Sequence, residues 1–208
     1  MVLVTVQGAS SGAQVVVTVD GALSEQLGQL VTDFSNTLEG EIGAINGINL
    51  VSGSTSFGAN GTGYGVASVA GSYSVTGAVD AISFGEPPAT GSIPSVHVQI
   101  DATGVTSKYI SVEGGTTGGI QFQAGSSAGT FVAGTGNNVF VGDQLDGAGG
   151  WFIFAGAGND TVITGSGDNV INAGLGDNFI NISNGTNTVY SYGHDTIYGG
   201  SSPVVSLY

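Results

Sequence analysis

Arginine is absent from this 208-residue chain, and lysine occurs once, as Lys108. Against 15 acidic residues this leaves a formal net charge of −14. Recognition of nucleic-acid phosphates needs clustered Lys or Arg, so that class of partner is excluded. The same shortage removes arginine clamps for anionic substrates and the lysine of a P-loop. Cysteine is also absent, which excludes disulfides, thiolate metal sites and cysteine nucleophiles. No apolar run approaches the ~20 residues of a transmembrane helix, so no membrane span is expected. The amino terminus lacks a basic segment followed by an apolar stretch of about 7–15 residues. If the protein is exported, the expected route uses no cleaved amino-terminal signal.

What is abundant is glycine, at 39 residues, in a chain that is 40% hydrophobic. A mean hydropathy of +0.30 is too apolar for charge-driven disorder, so the glycines serve turns inside a folded protein. The length suits one or two domains with a substantial core. Val2 to Val6 and Gln14 to Val19 are β-branched runs separated by a Gly/Ser segment, the pattern of a hairpin or of two strands in one sheet. From Leu23 the apolar period becomes helical through Leu27, Leu30, Phe34, Leu38, Ile42 and Ile45, which predicts one amphipathic helix over about 23–45. Short alternating segments rich in Gly, Ser, Thr and Val follow, and their β-branched and aromatic content predicts packed strands.

The strongest pattern is a repeat of nine in the carboxy-terminal part. Phe122, Phe131, Phe140, Ile153, Val162, Ile171, Ile180, Val189 and Ile197 recur at that spacing, apart from a longer step at the Gly142–Phe154 insertion and a shorter last step. Glycine-rich turns precede the apolar positions, as in Ala133–Asn138, Ala155–Asp160, Thr164–Asn169 and Ala173–Asn178. One turn plus one short strand cannot bury its apolar residue alone; stacked copies make a continuous core, the signature of a solenoid. The fold class expected is mainly β: a parallel β-roll or β-solenoid over 113–208, preceded by a β-rich region, 1–112, that contains the helix.

These residues resemble the Gly-Gly-x-Gly-x-Asp-x-apolar-x repeat of RTX proteins, the calcium-binding β-rolls exported by Gram-negative type I systems. The resemblance covers roughly residues 115–200, and its best match is AGAGNDTVI from Ala155 to Ile163. It implies two repeats per turn of the roll, with Ca²⁺ between stacked turns, where carboxylates at repeat position six and turn carbonyls converge. The implied ligands are Asp160, Asp177, Asn178 and Asp195 on one edge, with Asp168, Asn169 and Asn138 as further side chains. Turn carbonyls, such as those of Gly158 and Gly176, are implied to complete the set. Only Asp160 and Asp195 place aspartate at position six; Asn138, Asn169, Asn178 and Asn187 stand there elsewhere, and Asp168 and Asp177 come one position early. An asparagine amide oxygen can ligate calcium but brings no charge. Stacked asparagines can also hold a solenoid together as a hydrogen-bonded ladder without metal, and both readings stay open at this stage.

Other constellations carry less. His97 and His194 are the two histidines, and neither falls in a recognisable triad order. Asp143 and Asp146 in the insertion suit a solvated loop or a separate metal site. Trp151-Phe152-Ile153-Phe154 reads as part core, part cover for an adjacent layer. With no catalytic constellation legible, no enzymatic activity is expected. The resemblance implies a secreted protein, extracellular or at the cell surface, and its short apolar tail is similar to the end of a type I substrate. The leading expectation is a self-assembling subunit of a surface layer, fibre or biofilm matrix, folded by calcium, with further copies of itself and a cell-surface polysaccharide as candidate partners. The alternative is an adhesin or carbohydrate-binding module in which the roll aids folding. An extracellular hydrolase ranks third.

Overall fold

The computed structural model describes residues 2–7, 14–19, 48–58, 63–84, 97–145, 149–200 and 203–207. Strands are numbered in chain order. β1 (Val2–Gln7) and β2 (Gln14–Val19) pair antiparallel as the expected hairpin, from Val2 opposite Val19 to Gln7 opposite Gln14. The helix expected over 23–45 lies outside the described residues.

Every later strand is parallel to its neighbours and belongs to one of two sheets that the chain visits alternately. The odd sheet runs β3 (Ile48–Asn49), β5 (Tyr64–Ala67), β7 (Ala81–Phe84), β9 (Tyr109–Gly114), β11 (Ala128–Val132), β13 (Trp151–Phe154), β15 (Val170–Asn172), β17 (Gly185–Tyr190) and β19 (Pro203–Leu207). The even sheet runs β4 (Gly53–Phe57), β6 (Gly71–Gly77), β8 (Val98–Val105), β10 (Ile120–Ala124), β12 (Val139–Val141), β14 (Thr161–Ile163), β16 (Phe179–Asn181) and β18 (Thr196–Tyr198). This is the β-solenoid the repeat predicts. Val162 pairs with Ile180, and Ile171 with Val189, each two repeats further along. The roll also begins much earlier than the repeat does. The boundary expected at 112/113 falls inside β9, and both sheets cross it unbroken. Upstream, Gly71 pairs with Val98 and Ala81 with Ser111, so the turns are longer and unequal. Strand pairing requires the chain to return at the right height, not after a constant number of residues, and the period is lost there while the sheets persist.

The apolar repeat positions fill the space between the sheets. Phe122, Phe131, Phe140, Ile153, Val162, Ile171, Ile180 and Val189 are all buried, and Ile197 packs on the end of the row. Phe122 lies at the centre of an aromatic block, 5.7 Å from Phe131, 5.9 Å from Phe140 and 5.6 Å from Trp151 between ring centroids. Trp151 enters this core with its indole N–H donating to the Ser127 carbonyl at 3.0 Å, which satisfies its polar atom. Ile153 enters beside it, while Phe152 faces outward and Phe154 is buried away from the main cluster. Truncating Phe122 to alanine should cost about 3–5 kcal/mol, the range for a buried aromatic whose neighbours cannot close the cavity. Urea unfolding of Phe122→Ala beside Phe179→Ala, whose ring is half exposed, checks this: equal midpoints would contradict it.

Candidate metal centre

The turns that lead into β12, β14, β16 and β18 stack along one edge of the roll. Parallel bridges join Thr135 to Ala157 and Ala157 to Leu175, and Leu175 N–H donates to the Gly156 carbonyl at 3.0 Å. So close a stack of backbone forces glycine: Gly156 has φ +92° and Gly174 φ +74°, and a Cβ on either would meet the carbonyl oxygen of the turn below.

Two rails of side chains run along this edge. The inner rail contains the position-six residues Asn138, Asp160, Asn178 and Asp195. Each accepts, through a side-chain oxygen, the backbone N–H one turn back: Ile120 to Asn138 at 3.1 Å, Asn138 to Asp160 at 2.7 Å, Asp160 to Asn178 at 2.8 Å and Asn178 to Asp195 at 3.0 Å. The outer rail contains the position-five residues. Asn137 accepts from Asn159 N–H at 2.9 Å and Asn159 from Asp177 N–H at 3.0 Å, and His194 stands 3.6 Å from Asp177. The last pair is exposed and screened by solvent. Asp177 therefore faces water, outside the rail that holds Asp160.

The opposite edge is built from the turns into β13, β15 and β17. Asn169 accepts from Trp151 N–H at 3.0 Å, and Asn187 from Asn169 N–H at 3.1 Å. Asp168 is again one place outward, exposed, and accepts from Thr186 N–H at 2.7 Å. The implied ligands thus divide into three groups: Asp160, Asn178, Asp195 and Asn138 together on one inner rail, Asn169 on the other edge, and Asp168 and Asp177 on outer rails. In the insertion, Asp143 caps its own turn through Leu145 N–H at 3.0 Å, and Asp146 lies outside the described residues.

Electrostatically the members of the inner rail differ. Asp195 uses both oxygens, one on Asn178 and one on the Ser191 hydroxyl at 2.6 Å. Asp160 is 2% exposed, and its Oδ2 has no hydrogen-bond partner. Burial pushes its carboxyl from 3.8 up to about 7; the Asn138 backbone and side-chain hydrogen bonds pull it down, and Asp195 adds a smaller upward push. A buried carboxylate oxygen with no donor calls for a cation or a proton.

Calcium takes about six to eight oxygens, and a single carboxylate with main-chain carbonyls is a fitting donor set for it. Among the described residues no three His, Cys, Asp or Glu side chains cluster as a metal site, so main-chain oxygens must supply most of the shell. Asp160 fits that requirement, and Gly158 and Gly176 belong to the turns stacked about it. Several contributors escape a position-six reading. Asn137 and Asn159 recur at turn spacing one place earlier, a signal present in the repeat itself. Ser191 beside Asp195 has no repeat counterpart. Gln144, which donates to the carbonyls of Gly142 at 2.9 Å and Thr164 at 2.8 Å and so staples the insertion to the roll, carries no sequence signal.

Among the described residues no helix is long and apolar enough to cross a membrane. No curated protein and no solved structure matches the chain. Four copies of the RTX calcium-binding nonapeptide repeat match residues 152–180, the stretch that includes Asp160, Asp168, Asn169, Asp177 and Asn178. That segment of the roll is a run of RTX repeats, which are calcium-binding motifs characteristic of secreted proteins.

Proposed function

We propose that this protein is an extracellular, non-catalytic building unit that folds with calcium and stacks end to end with copies of itself. The observation that carries the reading is the state of the two sheet ends. Among the described residues, β3 and β4 close the sheets at one end and β18 and β19 at the other, all parallel. Among the described residues, each end therefore offers one strand edge from each sheet. Joining the last turn of one copy to the first of the next would continue both ladders, a heterologous contact that does not close on itself. Ile48 and Val51 are exposed at the first end and Tyr198 at the last, which supplies apolar surface for such a joint. The histidines support a non-catalytic reading: His97 is exposed and bonded to the Gly118 carbonyl, and His194 stands exposed beside Asp177.

Electron microscopy of the purified protein with calcium and with chelator tests this. Filaments or sheets are expected with calcium, and a monodisperse monomer in both conditions would overturn the reading. A second reading, the adhesin or carbohydrate-binding module, draws on one feature. A shallow trough of about 330 Å³ on the outer face of the even sheet is lined by Ser72, Ser74, Gln99, Asp101, Gln121 and Gln123. Its uncharged amides both donate and accept, which suits sugar hydroxyls. If the protein stays monomeric, binding on a glycan array would favour that reading.

A further inference from the structure

In the turn containing Asn138, the carbonyl oxygens that crowd the inner rail are met by the protein's own amide. Asn138 Nδ2 donates to the Gly136 carbonyl at 2.8 Å and to the Ala155 carbonyl at 3.0 Å. The opposite edge is closed in the same way. Asn169 Nδ2 donates to the Gly167 carbonyl at 2.6 Å and to Asn187 Oδ1 at 2.9 Å, and Asn187 Nδ2 donates to the Gly185 carbonyl at 3.2 Å. In these turns an NH₂ group sits where a cation would otherwise balance the oxygens.

One turn beyond Asn138, Asp160 occupies the same place in the rail. The carbonyls equivalent to those of Gly136 and Ala155 are now those of Gly158 and Ala173, and a carboxylate has no N–H to offer them. Its Oδ2 is buried and without a partner. Asp195, the other aspartate of the rail, has both oxygens taken by Asn178 and Ser191. We infer that the two edges of the roll have divided the work: the Asp160 turn takes a calcium ion, while the Asn169–Asn187 edge is closed by its own amide hydrogens and takes none. At their own turns the asparagines then stand in for the metal, and the part of folding that depends on calcium is confined to the Asp160 turn. This rests on the calcium part of the proposed function and narrows it to one place.

Asp160→Asn is the deciding variant, because it has the same shape and restores the N–H donor that Asn138 already uses. Calorimetric titration with calcium chloride and thermal unfolding in chelator are the readouts, on the full chain. Wild-type protein is expected to show one saturable uptake and a calcium-dependent rise in melting temperature. Asp160→Asn should lose both, and in chelator should melt above wild type, since an amide now holds the carbonyls. Asn169→Asp should do the reverse, gaining a second uptake and melting lower in chelator. Uptake that survives in Asp160→Asn overturns the assignment and leaves the proposed function standing. No uptake by wild type overturns the assignment together with the role of calcium in that function. An Asn169→Asp variant that gains no calcium overturns the claim that amide hydrogens are what close the second edge.

Discussion

Gly174→Ala is expected to destabilise the carboxy-terminal roll by on the order of 3–5 kcal/mol. Two effects add. The first is conformational: Gly174 sits at φ +74°, where a side chain costs roughly 1–2 kcal/mol. The second is steric. A Cβ there would lie 1.7 Å from the Gly156 carbonyl oxygen and 2.7 Å from its carbon. That oxygen is fixed, because it accepts Leu175 N–H at 3.0 Å in the stack. Relief would require the two turns to separate, breaking the parallel bridge from Ala157 to Leu175 and the side-chain rails beside it. Gly53 provides the control. It has φ +108°, but nothing lies within 4 Å of the place a Cβ would take, so Gly53→Ala should cost only the conformational part. Since whole domains are stable by about 5–15 kcal/mol, the first variant should shift urea midpoints far more than the second. Similar losses in the two would show that turn stacking contributes little.

In chelator, the protein should lose stability as the pH rises from about 4 to about 7. Asp160 is the cause: burial raises its folded-state carboxyl to about 7 from a reference of 3.8. A group raised on folding contributes stability that is fully present below its unfolded value and is lost as the pH rises through its folded value. The full swing is on the order of 4 kcal/mol. Calcium at the Asp160 turn, as inferred above, would reverse the sign at neutral pH, because it would bind the ionised form and give the buried oxygen a positive partner. General repulsion in a chain of net charge −14 slopes the same way, so Asp160→Asn is needed as a comparison. The part of the slope due to Asp160 disappears in that variant. Equal slopes in the two proteins would remove Asp160 as the cause.

The roll's core was legible because of how a solenoid stacks. Each apolar residue from Phe122 to Val189 must lie over the one before it in its sheet, so its place in space becomes a fixed count along the chain. The same logic made position six visible as a line of Asn and Asp along the edges. It failed upstream of β9, where connections of unequal length separate strands that still pair in register, and the roll from Ile48 onward looked like a separate β-rich region. Trp151 was ambiguous for a similar reason. The insertion shifts the count, and only the contacts with Phe122 and Phe140 place its ring inside.

Composition and periodicity therefore pointed to an acidic, glycine-turned solenoid in the carboxy-terminal part, and the likeness of its repeat to RTX sequences implied a parallel β-roll there. They cannot tell the chemistry of one turn from that of the next, since Asn138, Asp160 and Asn169 occupy the same repeat position. That distinction belongs to the tertiary structure. Whether a side-chain atom reaches a carbonyl one turn away depends on burial and on the height of the neighbouring turn, and a difference of one N–H decides the outcome. At Asn138 and Asn169 the amide hydrogens meet the oxygens around them; at Asp160 an oxygen is buried with no hydrogen to meet it, and a charge must come from outside the chain.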